Sequence, residues 1–227
     1  MRAQAGMSAA PFPRAVLFDL DGTLVDSAPD MLATVNRMRA ARGQGPMALA
    51  TLRPHVSRGA RAMSAVAFPE LGGEVPAALV QEFLATYAQE LGRHGGPFPG
   101  VPGLLQAIEA TGRRWGIVTN KPEALARQVL SGLGWDGRCA VLVGGDTLAE
   151  RKPHPLPLRH AAQALGLAAA DCVYVGDDAR DIAAARAAGM PALVALWGYR
   201  LPDEVPAQWG ADALCAAPAA VQAWLGR

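Results

Sequence analysis

The chain has 227 residues, 51% of them hydrophobic, and its 21 basic and 20 acidic side chains leave a formal net charge of +1. That length suits one large domain or a core domain with an insertion, and the near balance of charge gives no reason to expect nucleic acid or an anionic membrane as partner. The apolar stretches are short and interrupted by Gly, Pro or charge, so none spans a bilayer. Residues 1–13 lack the continuous apolar run of a signal peptide and read as a tail ahead of the first strand. Cys139, Cys172 and Cys215 form no CxxC pair. They read as core-filling thiols of a reducing cytoplasm, not as a disulfide frame or a zinc site.

In chain order, the first element is an apolar run at residues 15–18, without strict alternation, as expected for a strand covered on both faces. Residues 29–42 place Met31, Leu32, Val35 and Met38 on one helical face, and residues 80–91 do the same with Val80, Phe83, Leu84, Tyr87 and Leu91. Between these helices lies a Gly-, Arg- and Met-containing segment, 53–68. Gly95-Gly96-Pro97-Phe98-Pro99-Gly100 reads as a return hinge. Four further buried strands are expected at 116–119, 140–143, 172–175 and 192–196. Helices at 103–110, 122–130, 155–165 and 178–188 accompany them. Strands alternating with helices predict an open α/β parallel sheet. The gap of nearly a hundred residues between the first two strands is too long for one crossover. The predicted organisation is therefore a core of residues 14–27 and 98–227 with a helical cap, 28–97, inserted into it.

Chemistry-bearing residues gather at the strand ends. The first strand runs into Asp19-Leu20-Asp21-Gly22-Thr23, the second into Thr119-Asn120-Lys121 and the fourth into Gly176-Asp177-Asp178-Ala179-Arg180-Asp181, while Lys152-Pro153 follows the third. In an open α/β sheet, ligands bind beyond the carboxyl ends of the strands. Two carboxylates as close as Asp19 and Asp21 repel unless a proton or cation lies with them. Oxygen ligands of this kind suit Mg²⁺, which takes one or two carboxylates plus water and phosphate oxygens. Lys152 would offset negative charge on a phosphate and a nucleophile. Phosphoryl transfer needs positioning and neutralisation above all, and this set supplies both.

With these four motifs in this order, the chain from about residue 14 onward resembles the haloacid dehalogenase superfamily of aspartate-nucleophile phosphohydrolases. The resemblance implies a Rossmannoid core with a C1-type helical cap, and it implies roles. Asp19 would be the nucleophile that forms an aspartyl-phosphate. Asp21 would protonate the leaving oxygen and then activate water. Mg²⁺ would be held by the Asp19 carboxylate, the Asp21 carbonyl and Asp177, with Asp181 as a further partner. Thr119 and Asn120 would bind phosphate oxygens through hydroxyl and backbone N–H groups, beside Lys152. Asp178 is expected first as a helix N-cap. The place of the insertion, together with Gly144-Gly145-Asp146-Thr147 and Lys152-Pro153-His154-Pro155, points to the phosphoglycolate phosphatase-like branch.

Within the cap, Arg58 is the candidate anchor for a substrate carboxylate, since Arg binds carboxylates in bidentate fashion. Two substrates of that branch carry one: 2-phosphoglycolate and N-acetylmuramic acid 6-phosphate. Residues 57–63, 115–122 and 209–212 look more like the amino-sugar group. The expected partner is a small phosphorylated metabolite, acted on by a monomer or homodimer. A sugar phosphomutase with the same motifs is the first alternative. A non-catalytic binding protein is disfavoured by the presence of both Asp19 and Asp21. A serine hydrolase is disfavoured because no Gly-x-Ser-x-Gly elbow occurs, and a P-loop enzyme because no Gly-x-x-x-x-Gly-Lys-Ser/Thr occurs.

Overall fold

The computed structural model describes residues 12–226, so most of the expected tail lies outside the described residues. The chain enters through β1 (Ala15–Phe18), turns into the two-residue β2 (Val25–Asp26) and passes to α1 (Ala28–Ala40) and α2 (Leu49–Leu52). A 3₁₀ turn (Arg53–Arg58) leads to α3 (Gly59–Ala67) and α4 (Ala77–Glu90), and β3 (Gly96–Pro97) brings the chain back antiparallel to β2. The remainder alternates: α5 (Val101–Ala110), β4 (Arg114–Val118), α6 (Glu123–Gly132), β5 (Leu142–Val143), α7 (Leu156–Ala164), β6 (Cys172–Gly176), α8 (Ala179–Ala188), β7 (Ala192–Ala195), β8 (Ala213–Cys215) and α9 (Pro218–Leu225).

Six strands form one parallel sheet in the order β5-β4-β1-β6-β7-β8. The side-chain period of two divides each strand between two apolar layers. Val16, Phe18, Trp115, Ile117, Val173 and Val175 pack with Leu104, Leu105 and Ile108 of α5 and with Val221 of α9. Ala15, Leu17, Tyr174 and Val194 pack with Leu158 of α7 and Ile182 of α8. Both faces are covered, which is why the strands read as unbroken apolar runs. The five expected strands are present, and the sheet gains β8 as a sixth, followed by α9, neither of which was expected.

The inserted helices share a buried layer that includes Val35, Met38, Leu52, Met63, Phe68 and Phe83. The segment 53–68 contains the regular helix α3, whose buried Met63, Ser64 and Ala67 face this layer. Asp30, at the start of α1, stitches the two ends of the insertion together. Its carboxylate accepts backbone N–H groups from Gly92 (2.9 Å), His94 (2.7 Å) and Gly95 (3.1 Å). Cys139 and Cys172 are thiols that burial pushes up to about 11, so both stay protonated at neutral pH. Among the described residues, no helix is long and apolar enough to cross a membrane.

Candidate active site

The register of the sheet assembles the site. Phe18 pairs with Ile117 on one side and Val175 on the other, so the chain ends carrying Asp19, Thr119 and Asp177 leave the sheet side by side. Strand hydrogen bonding continues into these residues: Asp19 N–H donates to Val175 O and Thr119 N–H to Val143 O, each at 2.9 Å. Two glycines let the backbone close around Asp177. Gly22 has φ of +88°, and a Cβ there would lie 2.7 Å from Asp177 Cγ. A Cβ on Gly198 would lie 2.6 Å from the same atom and 2.5 Å from Gly22 O. These separations are well inside van der Waals contact.

Asp19, Asp177 and Asp181 are all buried, and each offers a carboxylate oxygen within 4.8 Å of the others. Asp177 accepts from Thr23 Oγ1 (2.9 Å), Ser57 Oγ (3.0 Å) and Tyr199 N–H (2.9 Å). Burial, with Asp19 and Asp181 facing it, holds its carboxyl well above the usual carboxylate range. Burial also pushes Asp181 up to about 6, against the pull of Lys152. Lys152 Nζ donates to Asp181 Oδ1 and to Tyr174 OH, both at 2.7 Å. It also lies 2.9 Å from Asp19 Oδ1, as an ion pair without hydrogen-bond alignment. Burial works to lower this ammonium, but Asp181 and Asp19 outweigh it and hold it above its ordinary value.

Asp178 is the N-cap of α8. Its side chain accepts Arg180 N–H at 2.9 Å, and Asp181 accepts the Asp178 N–H at 3.1 Å, closing a capping box. The capping box fixes Asp181 against Lys152, so helix capping and site assembly use the same carboxylate. Asn120 clamps the other side of Lys152: Nδ2 donates to Lys152 O (2.9 Å) and Oδ1 accepts Lys152 N–H (3.1 Å). The Asn120 side chain therefore positions the lysine. The Thr119 hydroxyl is buried beside it and accepts the Lys121 N–H at 3.2 Å.

Asp21 stands apart from the acidic cluster with its own cation. Lys121 Nζ donates to both Asp21 oxygens, at 3.1 and 3.2 Å. It also donates to the Tyr87 hydroxyl of α4 at 2.6 Å and lies 4.3 Å from that ring's centre. Sequence reasoning quoted Lys121 next to Thr119 without giving it a role, and it treated Tyr87 only as part of an apolar helix face.

The insertion closes over this edge of the sheet through residues 53–58. Besides the Ser57–Asp177 bond, Ser57 O accepts from Arg180, which is doubly bonded to Asp178 (2.7 and 2.9 Å). The structure places Arg58 in an ion pair with Glu204 and 3.8 Å from Asp178. Arg53 donates to both oxygens of Asp26 at 3.0 Å, and the Tyr199 hydroxyl donates to Asp26 at 2.7 Å. Tyr199 and Gly198 border the site directly.

The donor set fits a hard divalent cation. Three buried carboxylates converge with only one ammonium among them, and every donor atom is oxygen. On the opposite side, Asp21 lies outside this cluster and faces Lys121. Carboxylates and a charge-neutralising lysine gathered at one sheet edge are groups that phosphoryl transfer can use.

Comparison with known proteins gives the same reading. Residues 13–189 match the model of the haloacid dehalogenase-like hydrolases. The chain is 60% identical over 212 residues to a protein of Xylella fastidiosa named phosphoglycolate phosphatase, covering 93% of each chain. It is 44% identical over 202 residues to N-acetylmuramic acid 6-phosphate phosphatase of Pseudomonas aeruginosa, covering 88% of this chain and 89% of that one. A crystal structure described as a predicted phosphoglycolate phosphatase from Haemophilus somnus superimposes with a TM-score of 0.81 at 27% identity, covering 96% of this chain and 99% of that one.

Proposed function

The chain belongs to the haloacid dehalogenase-like hydrolases, and from that premise we propose that it removes phosphate from a small carboxylated metabolite, 2-phosphoglycolate first among them. The enzyme is a phosphatase of the phosphoglycolate phosphatase-like branch. The observation that carries the mechanism is the buried Asp19–Asp177–Asp181 cluster, with Lys152 on one side and Asp21 apart from it.

An Asp19 oxygen attacks phosphorus and forms the aspartyl-phosphate as the ester bond breaks, and Asp21 delivers a proton to the leaving oxygen. Asp21 then takes a proton from the water that attacks the phosphorus of the intermediate, releasing inorganic phosphate and restoring Asp19. Lys152 offsets the charge shared by Asp19 and the phosphoryl oxygens, while the Thr119 hydroxyl and the Asn120 backbone N–H orient those oxygens. Asp19, Asp177, Asp181 and the Asp21 carbonyl would hold Mg²⁺, which would supply positive charge beside the transferring group. The helical insertion 28–97 acts as the cap that excludes water during the first step. Arg58, bound to Glu204, fastens that cap to the core.

The 60% identity to a protein named for phosphoglycolate supports 2-phosphoglycolate as substrate. The 44% identity to the Pseudomonas enzyme supports N-acetylmuramic acid 6-phosphate as the second reading. Phosphate release with Mg²⁺, measured as kcat/KM on both compounds, separates them: at least a tenfold preference for either, equal to about 1.4 kcal/mol, assigns the substrate. Stoichiometric release of phosphate also excludes the phosphomutase. The same proposal places the enzyme in the cytoplasm, as a monomer or homodimer.

A further inference from the structure

Resting on the reading of a carboxylated substrate, we propose that Lys121 and Tyr87 are its carboxylate anchor, and that they select esters whose carboxylate lies next to the ester oxygen.

Among the described residues, four cations that the structure brings next to the carboxylates of the site are Lys152, Lys121, Arg58 and Arg180. Three pair with carboxylates other than Asp21. Lys152 serves Asp19 and Asp181, Arg180 is doubly bonded to Asp178, and Arg58 is paired with Glu204 and near Asp178. Lys121 instead stands beside Asp21, the group that touches the leaving oxygen, and is itself buried.

Its neighbour completes a two-donor site. The Tyr87 phenol accepts from Lys121 and so keeps its own proton for a further acceptor. Burial, with Asp21 and Asp30 nearby, holds that phenol well above its ordinary value, so it remains a donor. An ammonium and a phenol O–H side by side match the two oxygens of a carboxylate.

Position decides which carboxylate. In 2-phosphoglycolate, one carbon separates the ester oxygen from the carboxylate, placing their oxygens about 3 Å apart. Lys121 Nζ is 3.1 Å from the Asp21 carboxylate, so an ester oxygen bonded to Asp21 brings a glycolate carboxylate to the ammonium. In a sugar 6-phosphate whose carboxylate hangs from another ring carbon, the same phosphate pose carries that group away from Lys121. Tyr87 belongs to the cap and Lys121 to the core, so this anchor exists only when the cap is down.

The test uses 3-phosphonopropionate, in which a methylene replaces the ester oxygen, and its neutral primary amide. Both are titrated calorimetrically into the Mg²⁺-loaded enzyme, with no turnover to confuse the reading. The wild-type protein is expected to bind the acid about 10- to 100-fold more tightly than the amide, the worth of one charge-assisted contact. Lys121→Met is expected to bring that ratio to near one. Tyr87→Phe, which deletes one hydroxyl and keeps the ring, is expected to reduce it by about 3- to 10-fold. Should Lys121→Met fail to fold, Tyr87→Phe alone decides. A wild-type ratio near one, in an enzyme that still hydrolyses phosphate esters, overturns the carboxylated-substrate reading. A ratio that survives both Lys121→Met and Tyr87→Phe overturns the anchor.

Discussion

Gly198→Ala tests whether Asp177, the proposed metal ligand, is held by close backbone packing. The backbone at Gly198 is not in the left-handed region, so alanine meets no torsional penalty there and the effect is steric. The added methyl would sit 2.6 Å from Asp177 Cγ and 2.5 Å from Gly22 O. Ordinary contact needs about 3.5 Å, so Asp177 or the Gly22 turn must yield by about 1 Å. Asp177 is held by Thr23, Ser57 and the Tyr199 N–H, so the strain spreads into the site. Overpacking of this kind costs about 1–3 kcal/mol, or roughly 2–12 °C in Tm for a chain of this size. A 1 Å displacement of a catalytic group costs about 100-fold in rate. Thermal unfolding and phosphate release across a Mg²⁺ titration measure the two effects. The variant should be folded, less active by about that factor, and half-saturated at higher Mg²⁺. Wild-type activity with an unchanged Mg²⁺ requirement would refute the reasoning.

Lys152→Met should remove nearly all turnover and destabilise the metal-free protein by about 3–5 kcal/mol, because Asp19 and Asp181 are left facing each other without their shared cation; denaturant unfolding measures it. Asp30→Ala should cost about 2–4 kcal/mol by leaving the Gly92, His94 and Gly95 N–H groups without their acceptor, and limited proteolysis should then cut the segment at 92–96. The rise in Tm produced by Mg²⁺ should grow with pH. Asp181 is pushed up to about 6 and Asp177 is raised as well, so folded metal-free protein holds protons that the unfolded chain releases near pH 4. That contribution to stability is full below about pH 4 and is lost as pH rises through about 6. Mg²⁺ relieves the resulting repulsion, so an equal Tm rise at pH 5 and pH 8 would contradict the assignment.

The strand ends were legible in the sequence because a parallel sheet writes each strand as a short apolar run and puts its chemistry just after it. Asp19, Thr119 and Asp177 followed from that pattern, and Asp178 as N-cap followed from its place before α8. Other features were not legible. Strand β8 is only Ala213–Cys215, with Leu214 exposed, so it carries too little apolar signal. Helix α3 was obscured by Arg58, Gly59 and Arg61 at its start, which resemble a polar loop. The pairing of Tyr87 with Lys121 and of Arg58 with Glu204 depends on how the inserted helices lie on the sheet, and no local spacing encodes contacts of that kind. Asn120 illustrates the same limit: the resemblance implied a role for its backbone N–H, and the span of its side chain to the Lys152 backbone was not foreseen.

The most direct test of the central claim is inorganic phosphate release from 2-phosphoglycolate with Mg²⁺, for the wild-type enzyme and for Asp19→Asn, each shown to be folded by circular dichroism. Asp19 as nucleophile predicts steady turnover by the wild type and a rate indistinguishable from background in the variant. Substantial turnover by Asp19→Asn would contradict the aspartyl-phosphate mechanism.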